Sequence, residues 1–243
     1  MDNSLASHLT ALRTTLIRCL MALAIVFIPA FCVAPFCIDF LTNTLLAGFA
    51  PEQLHYFHPM EMFMLQAKVA FIVALVVAFP YVAYCIWQFV LPALYENEKR
   101  FILSIVFFST ILFAGGVVFC LLVCFPMVIR FGMSYASGNV LATIGVSQVV
   151  SLALWLSLAF GIVFQFPLVT YGLVRFGIVD YSAVCSKRPY VIVGILVLSA
   201  LLTPPDVVSQ IILAIPTYFF FELGLFLSKR FPSRSVEGRY DET

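Results

Sequence analysis

The chain has 243 residues, of which 63% are hydrophobic and only 10% are charged, and its net charge is +1. Soluble domains contain about 45–50% apolar residues, so this composition excludes an ordinary soluble domain and indicates an integral membrane protein. The seven cysteines contain no CxxC pair, and most lie inside apolar runs. This spacing argues against a disulfide framework and against a zinc site, and we expect no cofactor.

Four apolar runs are long enough to cross a membrane as helices. The amino-terminal segment MDNSLASHLTALR lacks the apolar core and small-residue cleavage site of a secretory signal, so the first run is predicted to remain as a helix. A bilayer core of ~30 Å needs about 20 helical residues. The runs that reach this length lie at about 16–36, 67–90, 101–127 and 149–173.

The last apolar region, about 190–227, is interrupted by the sequence TPPD at 203–206. Two prolines followed by an aspartate end one helix and begin the next, so we predict two short helices, 190–203 and 207–227, joined by a hairpin. The fifth span then has about 14 residues, or ~21 Å, and should thin the bilayer locally. We therefore predict an all-α integral membrane protein with six transmembrane helices.

The distribution of basic residues predicts the orientation of these spans. Eleven of the thirteen lie on one side: Arg13, Arg18, Lys99, Arg100, Arg175, Lys187, Arg188, Lys229, Arg230, Arg234 and Arg239. By the positive-inside rule that side is cytoplasmic, together with both termini. We predict one polytopic domain over 1–230, a flexible cytoplasmic tail over 231–243, and interfacial helices or caps in the outer segments, about 37–66 and 128–148.

Three polar residues lie within or near the predicted spans. Lys68, near the outer end of the second span, is explained by snorkelling of its ammonium group to the interface. Glu222 is either an interfacial carboxylate within reach of Lys229 or Arg230, or a functional group. Gln165 needs a hydrogen-bonding partner in hydrocarbon, which either helix packing or a wet functional groove would supply.

The stretch PALYENEKR, at residues 92–100, concentrates charge between two apolar spans. Its Lys99 and Arg100 are explained as topology determinants, whereas the positive-inside rule does not require Glu96 and Glu98. The two acids either stabilise the first turn of a helix through its dipole or bind a cation. An arginine guanidinium is the best cationic match, because it forms bidentate bonds to a carboxylate.

Enzyme signatures are missing from the sequence. It contains no HExxH, P-loop or GxGxxG motif, and its three histidines (His8, His55 and His58) are too few and too scattered for a metal site. A small-solute transporter or channel is an alternative function, mildly supported by Gln165 and by the proline-broken helices. A transporter is disfavoured because the sequence shows neither internal repeats nor a cluster of ionisable groups at the midplane. An intramembrane enzyme is disfavoured because the sequence shows no nucleophile–base pair.

Four segments in order resemble one known family, TatC, the multi-spanning receptor subunit of the twin-arginine protein translocase. They are HLTALRTTL, which resembles the family's HLxELR, then FHPMEMFMLQAKVAF, PYVAYCIWQFVLPALYENEKR and LTPPDVVSQIILAIPTYFFFELGLFLSKR. The resemblance implies a cup-shaped bundle of six helices, the fifth and sixth short, in the bacterial cytoplasmic (inner) membrane.

The resemblance also implies a non-enzymatic function. Proteins of this family bind the twin-arginine signal peptide of folded cargo and organise TatA- and TatB-like single-span subunits into a pathway driven by the proton-motive force. We therefore expect protein partners in homo- and hetero-oligomers, contact with membrane lipid, and no binding of nucleic acid.

The resemblance implies a signal-peptide site on the cytoplasmic face. Its loop acid matches Glu98, and its HLxELR motif matches His8 and Arg13, but the acid of that motif is replaced by Ala11. Two guanidinium groups are best satisfied by two carboxylates, so Glu96 is the candidate replacement.

Further positions carry over from the family with less weight. Phe89 and Leu94, with Pro92, flank Glu98 and are candidates for an apolar floor beside the arginine site. Gln165 stands where the family commonly has a Glu in its concave face, so it keeps hydrogen bonding without the charge. Residues of the last hairpin lie where the family docks a partner's transmembrane helix, or else cap and bond within the hairpin; they are Thr203, Gln210 and, in the same polar system, Glu222.

Overall fold

The computed structural model describes residues 2–45, 54–55, 60–90, 99–134, 144–175, 179–202 and 207–230. Its helices within these residues are α1 (Asp2–Leu45), α2 (Glu61–Val90), α3 (Lys99–Phe119), α4 (Phe125–Ser134), α5 (Val146–Val163), α6 (Phe166–Arg175), α7 (Tyr181–Ser186), α8 (Arg188–Leu202) and α9 (Val207–Arg230). A π-helical turn, Cys120–Cys124, joins α3 to α4. Two short strands, β1 (Leu54–His55) and β2 (Ile144–Gly145), complete the described fold.

Five helical segments of the described chain are long and apolar enough to cross a membrane. They run over Leu9–Asn43, Glu61–Phe89, Leu103–Ser134, Val146–Val174 and Gln210–Arg230. The predicted fifth span corresponds to α8, whose apolar part, Arg188–Leu201, is shorter than these. The prediction of a short sixth helix is wrong, because α9 continues as one helix of 24 residues through Pro216 to Arg230.

The helices extend beyond the apolar runs that predicted them. α1 spans 44 residues and α2 spans 30, so both reach into the predicted outer segment 37–66. An apolar run measures only the hydrocarbon thickness, whereas intrahelical hydrogen bonds continue wherever the backbone stays helical. β1 pairs in parallel with β2, with Leu54 opposite Ile144 and His55 opposite Gly145. The two predicted outer segments are thus joined by backbone pairing.

The chain divides into two compact units. The first contains residues 1–114 and 133–155, and the second contains 115–132 and 156–243. The first unit is built on α1 packed along α2, with the strand pair β1–β2. The second is built on α6 and α8 packed against α9.

A proline in α1 creates a polar contact with α2. Pro35 has no backbone N–H, so the carbonyl of Phe31, four residues earlier, cannot receive the usual helical hydrogen bond. The side chain of Gln66 supplies the missing donor, because its Nε2 donates to the Phe31 carbonyl oxygen at 3.2 Å. The Phe31 ring also meets the Phe63 ring edge-on, with centroids 6.1 Å apart. The contact therefore fixes where α2 lies against α1.

Lys68 also makes a hydrogen bond within the first unit. Its Nζ donates to Ser151 Oγ of α5 at 3.3 Å, while the side chain stays exposed. Snorkelling explains the exposure of the ammonium group, but the sequence did not reveal its partner on α5.

The second unit packs its helices closely at two glycines. A Cβ added at position 116 would lie 2.6 Å from the Phe160 carbonyl oxygen, and one at position 224 would lie 2.8 Å from Pro167 Cα. Phe164 fills the space between these contacts, with ring centroids 5.6 Å from Phe119 and 4.0 Å from Phe220. Small residues let helices approach closely in membranes, where dispersion contacts replace the hydrophobic effect.

The Gln66 contact is testable by a double-mutant cycle. Gln66→Leu should destabilise the protein by about 0.5–1.5 kcal/mol, because the Phe31 carbonyl loses its donor. In a Pro35→Ala background the backbone N–H of residue 35 is restored and can donate to the Phe31 carbonyl. Gln66→Leu should then lower the unfolding free energy by less. Reversible unfolding in detergent measures both costs. Pro29→Ala, in the same helix, is the matched control and should combine additively with Gln66→Leu; additivity with Pro35→Ala as well would contradict the interpretation.

The close approach of α9 to α6 is testable by adding one methyl group. Gly224→Ala should destabilise the protein by about 1–3 kcal/mol, because the new Cβ meets backbone that cannot rotate away. Gly194→Ala in α8 is the matched control, since a Cβ there has nothing within 4 Å. The measurement is the unfolding free energy of each variant, and equal values for the two variants would argue against close packing at Gly224.

Candidate functional site

An ion pair joins the beginning of α8 to the second half of α9. Arg188 Nη2 donates to Glu222 Oε2 at 3.0 Å, and Arg188 Nε lies 2.9 Å from Glu222 Oε1. Tyr218, one helical turn before Glu222, donates its hydroxyl to Oε1 at 2.9 Å. The arginine side chain is 42% exposed and the carboxylate side chain is 32% exposed. Glu222 is therefore a half-buried carboxylate with two donors from its own chain.

The expected partner of Glu222 was therefore wrong. The sequence suggested Lys229 or Arg230, which follow it on α9, but both side chains are exposed and the carboxylate binds Arg188 instead. Arg188 begins α8, so it lies close to α9 although 34 residues separate it from Glu222 in the sequence. The guanidinium lies against both carboxylate oxygens and donates a hydrogen bond to one of them, Oε2, through Nη2.

The short helix α7 shares this electrostatic environment. The hydrogen bond between the Tyr181 hydroxyl and the Cys185 thiol raises the pKa of Tyr181. The charges of Arg188 and Glu222 act on the same phenol in opposite directions. The polar cluster at this end of α8 therefore draws residues from three consecutive helices.

The hairpin of α8 and α9 is also bonded at its other end. Gln210 Nε2 donates to the Leu196 carbonyl oxygen at 2.9 Å, so the bond within the hairpin that the sequence offered as one interpretation is present. Gln210 and Glu222 are separated by 12 residues of α9, or about 18 Å along the helix axis. They cannot both contact one small ligand.

An apolar groove of about 250 Å³ runs between these two polar contacts. It is lined by Ile192, Ile195, Leu196, Ile211, Ala214, Ile215 and Tyr218. The Tyr218 ring lines the groove while its hydroxyl bonds Glu222, so the ion pair lies at one end of an otherwise apolar surface.

Gln165 occupies a break between two helices rather than the middle of one. α5 ends at Val163 and α6 begins at Phe166. Pro167 causes the break, because it cannot donate to the Val163 carbonyl. The Gln165 carbonyl instead accepts from the backbone N–H groups of Leu168 and Val169, at 3.0 and 2.9 Å. The half-buried Gln165 side chain is thus placed at the start of α6 in the second unit.

The predicted signal-peptide residues are only partly described. Arg13 is exposed on α1, and Phe89 is half-buried in the last turn of α2. The backbone of His8 is helical, and its side chain lies outside the described residues. Three further predicted residues of this site, and Thr203 of the hairpin, also lie outside them: Glu96, Glu98 and Leu94. The signal-peptide assignment therefore stays a prediction.

Two residues with structural roles, Gln66 and Arg188, carry signals in the sequence that point to those roles. The role of Gln66 could be inferred because Pro35 leaves the Phe31 carbonyl without a helical donor. A polar side chain on a neighbouring span is then needed as the donor. Arg188 counts among the cations that predict the topology, and a cation at the start of a short apolar helix is also a natural partner for an intramembrane acid.

Five long apolar helices, a shorter sixth apolar helix and internally paired polar groups define a helical, multi-spanning membrane protein. Among the residues that the structure describes, no three histidine, cysteine, aspartate or glutamate side chains form a group that could hold a metal ion.

Comparisons with known proteins identify the family. Residues 7–216 match the family described as Sec-independent protein translocase protein (TatC). The TatC protein of Azotobacter chroococcum is 35% identical over 99% of this chain and 94% of its own length. That of Haemophilus influenzae is 37% identical, covering 96% of this chain and 91% of its own. The chain belongs to the TatC family.

Two solved structures match the fold of this chain. A crystal structure of the twin-arginine translocase receptor TatC in the detergent DDM superposes with a TM-score of 0.83 at 33% sequence identity, covering 90% of this chain and 98% of that one. A second crystal structure of that receptor gives a TM-score of 0.83 at 32% identity. The protein is a non-enzymatic component of protein transport, so the small-solute transporter, the channel and the intramembrane enzyme are set aside.

Proposed function

We propose that this chain is the receptor that binds twin-arginine signal peptides and forms the core of a translocase for folded proteins. The single observation that carries the proposal is its match, over 90% of its length, to a solved twin-arginine translocase receptor. The six-span, cup-shaped architecture, with α8 as a short fifth span, belongs to the same proposal. The proposal also places the protein in the bacterial inner membrane with both termini in the cytoplasm. This orientation is supported by the distribution of basic residues.

Recognition of the signal peptide is assigned to the cytoplasmic face. Glu98 pairs with the arginines of the signal peptide. Glu96 substitutes for the acid of the family's HLxELR motif, whose position is occupied by Ala11 in this chain. Two positions apart is about 200° around a helix, so both acids reach one ligand only where the backbone is not regularly helical. Arg13 and His8 of α1 border the site, while Phe89 and Leu94 supply apolar contacts.

Translocation is assigned to the remainder of the cup and is driven by the proton-motive force. The segment around Gln165 holds the rest of the signal, and the helix break at Pro167 supports this role because broken helices expose backbone groups to a cavity. α8 has 15 residues, or about 22 Å, which is less than the ~30 Å hydrocarbon core. A short span thins the bilayer and lowers the barrier to passage.

Partner subunits are assigned to the α8–α9 hairpin. A single-span TatA- or TatB-like helix packs on its apolar groove, with polar contacts to Thr203 and Gln210. Gln210 Nε2 already donates to Leu196, so its Oε1 is the atom available to accept a bond from the partner. Glu222 contributes indirectly, since its pairing with Arg188 holds the two walls of the groove together.

The receptor function is testable by co-purification with a cargo precursor. A precursor with two arginines in its signal should bind, and one with two lysines should not, because lysine lacks the bidentate geometry. Glu98→Gln and Glu98→Ala should each weaken binding about tenfold to a hundredfold, the equivalent of one charge-assisted hydrogen bond. Equal binding of both precursors would overturn the proposal.

Two further variants sharpen the assignment of the acids. Glu61→Gln, which removes a carboxylate at the start of α2 on the predicted outer side, is the matched control and should bind normally. A double-mutant cycle of Glu96→Gln with Glu98→Gln should show coupling if both acids bind one ligand. Strict additivity would remove Glu96 from the site.

The partner surface is testable at Gln210. Gln210→Leu removes the donor and the acceptor, whereas Gln210→Glu removes only the donor that bonds Leu196. Both variants should lower stability by about 0.5–1.5 kcal/mol, but only Gln210→Leu should lose co-purification with the single-span partner. The control is Phe219→Leu, at an exposed position of α9 outside the groove lining, which should change neither property. Equal loss of partner in both Gln210 variants would refute the role of Oε1.

A further inference from the structure

A cation and a hydroxyl from two helices of the first unit meet near the ends at which those helices begin. Lys68 Nζ of α2 donates to Ser151 Oγ of α5 at 3.3 Å, and the Lys68 side chain is exposed. α2 begins at Glu61 and α5 at Val146, so both groups lie within about two turns of a helix start. In the orientation proposed for the chain, both helices begin on the outer side, and the contact lies near the outer surface of the bilayer.

Trp155 presents its ring to the same surface. It lies one helical turn after Ser151, on the same face of α5, and is 60% exposed. Side chains on a helix lean toward its start, so the Trp155 ring extends toward the level of Ser151. Among the residues that the structure describes, no acceptor is found for its indole N–H. Tryptophan is enriched where hydrocarbon meets headgroups, because its ring is apolar and its N–H is polar.

The three side chains together offer hydrogen-bond donors and one full positive charge. Ser151 Oγ already accepts from Lys68, so its own proton is turned elsewhere and can donate. The ammonium group keeps two further protons, and an indole only donates. Within the described part of the chain, no carboxylate forms an ion pair with Lys68. A group of donors with an unbalanced positive charge fits an anion.

The surface around this group of donors is apolar. Met64 and Phe71 lie on the same face of α2 as Lys68, before and after it along the helix, and both are exposed. On α5, Ile162 lies two turns beyond Trp155 on the same face and is also exposed. Such a surface contacts acyl chains, so the anion that fits here is one that a lipid carries.

We propose that Lys68, Ser151 and Trp155 bind the phosphodiester of an anionic phospholipid such as phosphatidylglycerol. The phosphodiester oxygens accept from the three donors, and the acyl chains lie along the exposed apolar faces of α2 and α5. A zwitterionic lipid fits less well, because its ammonium group meets the like charge of Lys68 and no carboxylate. The location in the outer leaflet rests on the proposed orientation, and it explains a use for a lysine on the side that carries few basic residues.

The test measures lipid contact at Trp155 in the full-length chain, reconstituted in bilayers. Trp87→Phe leaves Trp155 as the only tryptophan, so the fluorescence reports the lipids beside it. Phosphatidylglycerol brominated near its headgroup should quench this fluorescence more strongly than brominated phosphatidylcholine at the same mole fraction. We expect a relative binding constant of about five, the contribution of one lysine close to an anionic lipid.

Variants in the same background separate charge from packing. Lys68→Gln should bring the relative binding constant to about one, whereas Lys68→Arg keeps the charge and should keep the preference. Lys187→Gln removes an exposed cation in the second unit and is the matched control, which should leave the preference unchanged. Because Lys68 is exposed, high ionic strength should weaken the preference.

Several outcomes would overturn the proposal. Equal quenching by the two brominated lipids in the Trp87→Phe chain is one, and an undiminished preference after Lys68→Gln is another. Brominated phosphatidylethanolamine tests the choice of headgroup, and quenching as strong as that by phosphatidylglycerol would refute a site for an anionic lipid. The measurement contains no signal peptide and no partner subunit, so its failure would leave the proposed receptor function untouched.

Discussion

Every backbone polar group inside a bilayer must find its hydrogen-bonding partner within the protein, and this requirement organises the helices described above. Prolines interrupt the helices and so release carbonyl groups that something else must satisfy. In α1 the released carbonyl of Phe31 is met by the side chain of Gln66 on α2. At the break before α6 the chain turns, and the Gln165 carbonyl accepts bonds from the backbone N–H groups of Leu168 and Val169, which begin the next helix.

The same requirement bears on the partner surface proposed for the α8–α9 hairpin. Polar contacts within the hairpin are made by Gln210 at one end and by the Arg188–Glu222 pair at the other. The surface left between them is apolar, and an apolar partner can pack there without leaving a polar group unpaired. The glycine contact of α9 with α6 holds the opposite side of α9 by close packing. The proposed partner surface thus rests on contacts made within the chain.

Much of this fold was predictable from the sequence, because the length of an apolar run is a direct measure of membrane thickness. The positions of four long spans and the short α8 followed from it, whereas the sequence TPPD predicted the boundary between α8 and α9. The length of α9 did not, since the helix continues past the apolar run to Arg230. The partner of Glu222 was missed because attraction between Arg188 and Glu222 depends on how α8 packs on α9. The roles of Glu96 and Glu98 rest on the sequence and on the family resemblance, since both residues lie outside those that the structure describes.

The parallel pairing of β1 with β2 has a consequence for biogenesis. Leu54 and Ile144 are 90 residues apart in the sequence, and the chain between them contains α2, α3 and α4. At about 5–20 residues per second, a ribosome needs roughly 5–18 seconds to synthesise that interval. During this time β1 has no strand to pair with. The pairing therefore cannot form until α2, α3 and α4 have been synthesised.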